Sequence, residues 1–207
     1  MVKREERKEQ ITEYRRKQIL DAALAVFSRK GYGEATIPDI AREAGVAVGT
    51  IYNYYESKRD LLVSLVDTYV VTEPFRELLL QSGKADARAF VCSVIENRLG
   101  WGVENLEKFL FVFTEILRDP ELSEQFADKL SSVMQLPEKF FRAKIASGDF
   151  RPLNHRVIVR AMVGMVMGFM LLRKLEGEKS PAKDMPQAKL AAELADLVLE
   201  GVQEGGS

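Results

Sequence analysis

Between Thr36 and Tyr55 the sequence has room for two short helices and only about three residues to join them. No other stretch constrains the chain as much. Thr36 stands just ahead of Ile37-Pro38-Asp39. A threonine there can accept from a first-turn N–H, an acid three residues on can reciprocate, and a proline in the first turn misses no helical bond. Gly45 closes this helix near Ala44, and a second begins near Val48. Helices at about 37–44 and 48–54 with so short a link predict a helix-turn-helix over about 35–54. In that motif the second helix enters the major groove of DNA, so its outer face must be compact, polar and able to donate to phosphates and base edges. Ile51 and Tyr55, four residues apart, suit the inner face. Tyr52 and Asn53 project outward, Tyr54 reaches a phosphate at the rim, and Gly49 lets the backbone approach without a Cβ in the way. The competing reading is that the tyrosines merely cover a small core.

The rest of the chain reads as helix throughout. A first helix carries Ile19, Ala23, Val26 and Phe27 on one face and ends at Gly31. After Glu56, the run Ser57-Lys58-Arg59-Asp60 is a second start signal, opening a helix to about residue 80 with Leu62, Leu65, Val66 and Tyr69 on one face. Gly83 marks a break. Beyond it the periodicity predicts helices at about 85–99, 103–117, 121–147, 154–176 and 187–202, the last three set off by Asp119-Pro120, Gly148-Asp149 and the stretch Gly177 to Pro186. Asn154 suits an N-cap. The expected fold is all-α with about nine helices: a three-helix N-terminal domain over 12–72, then a larger helical domain over 73–203.

Composition narrows the function classes. A net charge of −1 over 207 residues gives no global argument for nucleic acid or membrane. Residues 1–17 do set seven bases (Lys3, Arg4, Arg7, Lys8, Arg15, Arg16, Lys17) against four acids, which suits either a solvated helix or an arm touching phosphates. The single cysteine, Cys92, excludes an intrachain disulfide and a cysteine-rich zinc site, and its apolar neighbours suggest a buried position. His155 is the only histidine, and no glycine-rich phosphate loop appears, so neither an enzyme nor a metal site or other cofactor is expected. The apolar run 157–172 is shorter than the roughly 20 residues of a membrane span and contains Arg160, so it is expected as a buried helix. No apolar leader opens the sequence. The expected location is the cytoplasm, with no membrane partner.

The stretch ILDAALAVFSRKGYGEATIPDIAREAGVAVGTIYNYYESKRDLLVSLV, with its G-Y, T-x-x-x-I-A, A-G-V, G-T-I-Y-x-Y-Y and S-K-x-x-L spacings, resembles the tetracycline-repressor (TetR) family of bacterial transcription regulators. The resemblance is close over roughly residues 12–72. Beyond that it extends only to helical character and length. It implies DNA contacts from Thr36, Val48, Gly49, Thr50, Tyr52, Asn53, Tyr54 and Lys58. Thr36, Thr50, Tyr54 and Lys58 would hold phosphates, and Val48, Gly49, Tyr52 and Asn53 would lie nearest the bases. The chain departs from the family at Ala47, where Ser or Thr is usual, and at Val48, which is often polar. Loss of that cap costs roughly 1 kcal/mol locally, and Val48 would then read a thymine methyl.

The resemblance further implies a homodimer reading a palindromic operator in double-stranded DNA. Leu190, Leu194, Leu197 and Val198 form a stripe, and Gly164 and Gly168 would allow another helix close, so the last two long helices suit a four-helix bundle from two chains. Both helices could equally be intramolecular core. The resemblance also implies that the larger domain binds a ligand. Arg98, Trp101, Phe109, Phe113, Phe141, Met165 and Phe169 are the candidates for a small hydrophobic effector, a fatty acid or acyl thioester among them, although each could simply fill a core. Arg98 and Arg160 could meet an anionic head or an acid of the protein. The expected function is a ligand-responsive repressor released by that effector. The alternative is a DNA-bound adaptor of the same fold that answers to a protein partner.

Overall fold

The computed structural model describes residues 2–70, 73–80 and 86–202. Nine α-helices and no strand occur among them: α1 (Val2–Lys30), α2 (Ile37–Ala44), α3 (Val48–Tyr52), α4 (Lys58–Val70), α5 (Glu73–Leu80), α6 (Ala87–Arg118), α7 (Pro120–Ala146), α8 (His155–Glu176) and α9 (Gln187–Val202). The expected break at Gly83, the frayed tail beyond residue 202, and the side chains of Lys3, Arg4, Lys8, Val66 and Tyr69 lie outside the described residues.

The chain forms two compact units. The first is Met1–Val70 with Lys108–Phe126, and the second is Val71–Glu107 with Ala127–Ser207. In the first unit Ile19, Ala23, Val26 and Phe27 of α1 are fully or almost fully buried with Ile40, Ile51, Leu61, Leu62 and Leu65, and Val112, Ile116 and Leu122 complete this core. Phe27 stands edge-on to Tyr32 at 5.3 Å, a geometry aromatic quadrupoles favour. Phe109 stacks on Phe113 at 5.3 Å, and Phe113 meets Phe126 edge-on at 6.0 Å.

In the second unit Phe90, Phe140, Phe141 and Phe150 form an aromatic knot. Phe90 and Phe140 are 4.5 Å apart, and Phe141 lies 5.3 Å from Phe140 and 5.9 Å from Phe150. Leu190, Leu194 and Leu199 of α9 are buried in this unit, as are Ile158, Val159, Met162, Val166 and Met170 of α8.

Three expectations need correction. The breaks foreseen between 99 and 103 do not occur, and α6 runs unbroken through Gly100 and Gly102. Gly102 is there for packing: a Cβ at this position would lie 2.0 Å from Met170 Sδ. Of the helix foreseen near 58–80, α4 and α5 are described, and residues 71–72 lie outside the described residues. Finally, α8 is not buried through its length. It is long and apolar enough for a membrane span by composition, and 28% of its most apolar window is buried. Val157, Leu171, Leu172 and Leu175 remain exposed, on a face shared with the exposed Ala161 and Gly164 and the half-buried Gly168. Cys92 is likewise only half-buried.

Candidate nucleic-acid interface

α2 starts where its local chemistry demands. Thr36 is extended (φ −120°), and Asp39 N donates to Thr36 Oγ1 at 3.3 Å while Thr36 N donates back to Asp39 Oδ2 at 3.2 Å. The Thr36 hydroxyl also donates to Asp39 Oδ2 at 2.7 Å. Two free first-turn donors are thus satisfied reciprocally. Lys30 Nζ lies 2.8 Å from the other Asp39 oxygen. The lysine contact first, and the threonine hydroxyl second, hold the Asp39 carboxyl down at about 2. α2 ends at Gly45, whose φ of 65° is left-handed and favours glycine.

α3 follows after three residues. Its N-cap, Ala47, is extended and supplies no side-chain bond, as the departure at this position foretold. Five residues cannot hold a helix by themselves, so α3 depends on its inner face. Ile51 is fully buried and Tyr55 is 4% exposed. The Tyr55 hydroxyl donates to the Arg16 carbonyl at 3.3 Å, and burial pushes its ionisation up to about 12. Gln18 Nε2 donates to the last carbonyl of α2, at Ala44, at 2.7 Å. α1 therefore braces both helices of the motif from behind.

The opposite face of α3 is open. Tyr52 is 55% and Val48 38% exposed, and Gly49 and Asn53 are exposed beside them. A Cβ at Gly49 would meet no atom within 4 Å, so nothing in the chain itself requires glycine there. Thr36 is exposed and Thr50 half-buried. Tyr54 is partly buried against the core rather than standing clear at a rim.

Lys58 occupies a position the resemblance did not anticipate. Its Nζ donates to the carbonyls of Tyr32 at 2.6 Å, Gly33 at 3.1 Å and Ala35 at 2.9 Å, and sits 4.5 Å from the centre of the Tyr32 ring. Ser57 Oγ accepts from Asp60 N at 3.0 Å, the start signal read from the sequence, while Asp60 Oδ2 accepts from Glu56 N at 3.1 Å. Next to them Arg59 holds Asp119 at 2.6 and 2.7 Å and Glu121 at 2.5 Å. Sequence reading missed this contact, because nothing local marks two residues sixty positions apart as partners.

The candidate ligand residues are divided. Phe109 and Phe113 belong to the first unit; Arg98, Trp101, Phe141, Met165 and Phe169 belong to the second. Phe141 is fully buried in the aromatic knot. Met165 and Phe169 are half-buried. Trp101 lines an open hollow with Leu78, Ser93, Glu96, Asn97, Gly100 and Gln187. Arg98 Cζ lies 3.6 Å from the centre of the Phe75 ring and 5.5 Å from that of Trp101, and its guanidinium donates to Asn97 Oδ1 at 2.6 and 3.1 Å. Burial lowers its ionisation to about 10, so it stays cationic at neutral pH. Arg160 pairs with an acid of the protein, Glu138, at 2.8 Å.

The dimer candidates divide as well. Leu190 and Leu194 are 3% and 6% exposed, in the core of the second unit. Leu197 is 62% exposed. Val198 and Gly168 are half-buried, and Gly164 is exposed. Among the described residues no group of three His, Cys, Asp or Glu side chains is gathered as a metal ion would need.

Residues 19–65 match the family model described as bacterial regulatory proteins, tetR family. The chain is 50% identical over 48 residues to the fatty acid metabolism regulator protein of Bacillus subtilis, covering 23% of this chain and 25% of that one. It is 32% identical over 146 residues to the HTH-type transcriptional repressor KstR of Mycobacterium tuberculosis, covering 65% of this chain and 60% of that protein. These alignments thus span from a quarter to three-fifths of the relatives' length. The crystal structure of the transcriptional regulator FadR from Bacillus subtilis in complex with stearoyl-CoA superposes with a TM-score of 0.68 at 24% identity, over 90% of this chain and 98% of that one. The all-helical fold is therefore shared nearly end to end. Residues 19–65 thus match the tetR family of bacterial regulatory proteins in sequence, and the chain shares its all-helical fold with a solved transcriptional regulator.

Proposed function

We propose that the chain is a DNA-binding repressor whose operator affinity falls when a small acyl effector binds the second unit. The observation that carries the reading is the division of α3. Its inner face is buried through Ile51 and Tyr55, while Val48, Gly49, Tyr52 and Asn53 are exposed on the other side. Such a face suits a major groove, where an apolar Val48 matches a thymine methyl and Asn53 can pair with an adenine edge.

One five-residue helix reads too little sequence, so the operator is a palindrome read by two copies. The exposed Val157, Leu171, Leu172 and Leu175 of α8 and Leu197 of α9 supply an apolar surface for the second copy. Gly164 and Gly168, whose added Cβ atoms would meet nothing within the chain, let a partner helix close in. The effector class rests on two observations. Arg98 and Trp101 offer a cation beside aromatic surface, and two of the relatives are named for fatty acid metabolism or were solved with an acyl-CoA. The protein acts by binding and is not an enzyme, and it works where its DNA is, in the cytoplasm.

The test is a titration of fatty acids, acyl thioesters and aromatic compounds against the protein on a palindromic duplex that it selects from a random DNA library. Release by an acyl compound, with coupling of about 5- to 150-fold, supports the reading. Tight binding of several compounds with no change in operator affinity would put a protein partner in the effector's place. Failure to select any DNA would overturn the regulator reading itself.

A further inference from the structure

Three cations, Lys139, Arg142 and Arg156, converge where the last turns of α7 meet the start of α8. Gln135, Glu138, Lys139 and Arg142 share one face of α7, and with His155 and Arg156 of α8 they line a hollow of about 230 Å³. The chain holds both walls in place. Gly148 reverses it between the helices with a φ of 81°, and Phe150 N donates back to the Lys144 carbonyl at 3.1 Å. Phe150 is buried against Phe140 and Phe141 of α7 at 6.5 and 5.9 Å. Asn154 then caps α8, its Oδ1 accepting from Arg156 N at 3.0 Å.

The charges in this hollow do not balance. Its one acid, Glu138, has a side chain only 13% exposed and is already committed: one oxygen lies 2.8 Å from Arg160 and the other 3.8 Å from Arg156. Among the described residues Lys139 and Arg142 have no ion-pair partner. With Arg160, which shares Glu138, four positive charges stand against one negative in a chain whose net charge is −1. Like charges gathered this way repel, and an anion in the hollow turns the repulsion into attraction.

We infer that the hollow is an anion site and that its ligand carries a phosphate ester or diphosphate. Arginine forks meet phosphate oxygens two at a time, and lysine meets them as a point charge. Two arginines and a lysine, with the Gln135 amide and the His155 ring beside them, suit a group with several oxygens and more than one charge. A carboxylate, with two oxygens and a single charge, would leave donors idle. The volume falls below the roughly 300–1,000 Å³ of pockets that enclose a whole small ligand, so the hollow takes a head group. Such a site requires neither DNA nor release from it, and so stands apart from the regulator reading.

The test is calorimetric titration of the full chain with inorganic pyrophosphate, ADP and coenzyme A, in metal-free buffer at physiological ionic strength. Two double variants accompany the wild type, and both alter exposed side chains. Lys139→Gln/Arg142→Gln removes two charges from the hollow, and Lys179→Gln/Lys189→Gln removes two from elsewhere on the same unit. The expected result is one pyrophosphate per wild-type chain. The first variant should weaken it at least about tenfold, as the loss of two hydrogen bonds to a charged group implies. The second should leave affinity unchanged, because charges beyond a screening length contribute little. Coenzyme A binding more tightly than ADP would support the site and make its source a thioester head group; equal binding of the two would support it as a site for the diphosphate itself. No saturable binding of any probe overturns the inference. An equal loss in both variants overturns it too, because the anions would then be drawn by a positive surface in general.

Discussion

Arg59 and Asp119, sixty residues apart in sequence, meet through two hydrogen bonds of 2.6 and 2.7 Å. Asp119 is itself the corner between α6 and α7, where its Oδ1 accepts from Glu121 N at 3.0 Å and Leu122 N at 3.1 Å. The Leu122 N–H first, then Arg59, hold its carboxyl below the usual range. The corner is therefore fastened to the first turn of α4, one residue from Lys58. Arg59→Met should leave operator binding within a few-fold of wild type but cut effector release to less than about fivefold, the lower end of ordinary coupling. Fluorescence anisotropy on a labelled duplex measures both quantities. An undiminished effector response would show that the signal travels elsewhere.

Gly49→Val adds atoms to open space on α3. Folding stability should stay within about 0.5 kcal/mol, as for surface substitutions that touch nothing. Operator affinity should fall at least about tenfold, equal to about 1.4 kcal/mol, because the backbone can no longer approach the bases. Thermal melting and operator titration together decide it. Equal affinity with equal stability would remove α3 from the base-reading surface.

Gly102→Ala places a methyl 2.0 Å from Met170 Sδ. Met170 is buried, but its flexible end can move, so the cost should fall near the lower end of the 1–3 kcal/mol typical of overpacking. Trimming the partner in Gly102→Ala/Met170→Val should recover part of that loss relative to the sum of the single changes, and a double-mutant cycle by denaturant unfolding reads the coupling directly. Additive effects would mean that the two helices do not press on each other here.

Leu194 and Leu197 lie three residues apart on α9 and should behave oppositely. Leu197→Glu replaces a side chain that is 62% exposed, so the expected product is a folded monomer with a normal helical spectrum. Leu194→Glu buries a charge where the leucine is 6% exposed and should unfold the second unit. Sedimentation velocity with circular dichroism separates the cases. A Leu197→Glu protein that sediments as the wild type does would move the second copy off this surface.

Asp39 titrates at about 2 instead of 3.8 because Lys30 and Thr36 favour its ionised form. A depressed carboxylate contributes stability above its unfolded value and loses it as the pH falls through the folded value. The melting-temperature gap between wild type and Asp39→Asn should be constant from about pH 5 to 8 and shrink between about pH 4 and 2. A gap that persists unchanged at pH 2 would mean that the charge of Asp39 contributes nothing to the cap.

What the sequence disclosed was local chemistry. Thr36 with Asp39, Gly45, Asn154, and the Ile51 and Tyr55 pair could be read because each signal and its partner lie within four residues. The break expected between 99 and 103 does not occur, and what Gly102 does inside α6 depends on the approach of Met170, sixty-eight positions on, which no local signal marks. Leu190, Leu194 and Leu197 share one helical stripe, and periodicity cannot say which members another helix of the same chain has already covered. The resemblance assigns Lys58 to a phosphate. The three carbonyls it holds belong to a turn 23 to 26 residues earlier, and carbonyls are the same for every residue type, so they leave no mark in a sequence.

The five residues of α3 and the Asn53 that follows divide their labour side chain by side chain. Ile51 is committed to the core, whereas Val48, Gly49, Tyr52 and Asn53 are exposed. Substitutions at those four places should draw less on the small stability reserve that limits most protein change than substitutions at Ile51 would. A lineage carrying this scaffold can acquire a new target sequence in single steps. The evolutionary freedom of the reader follows directly from how little of it the fold requires.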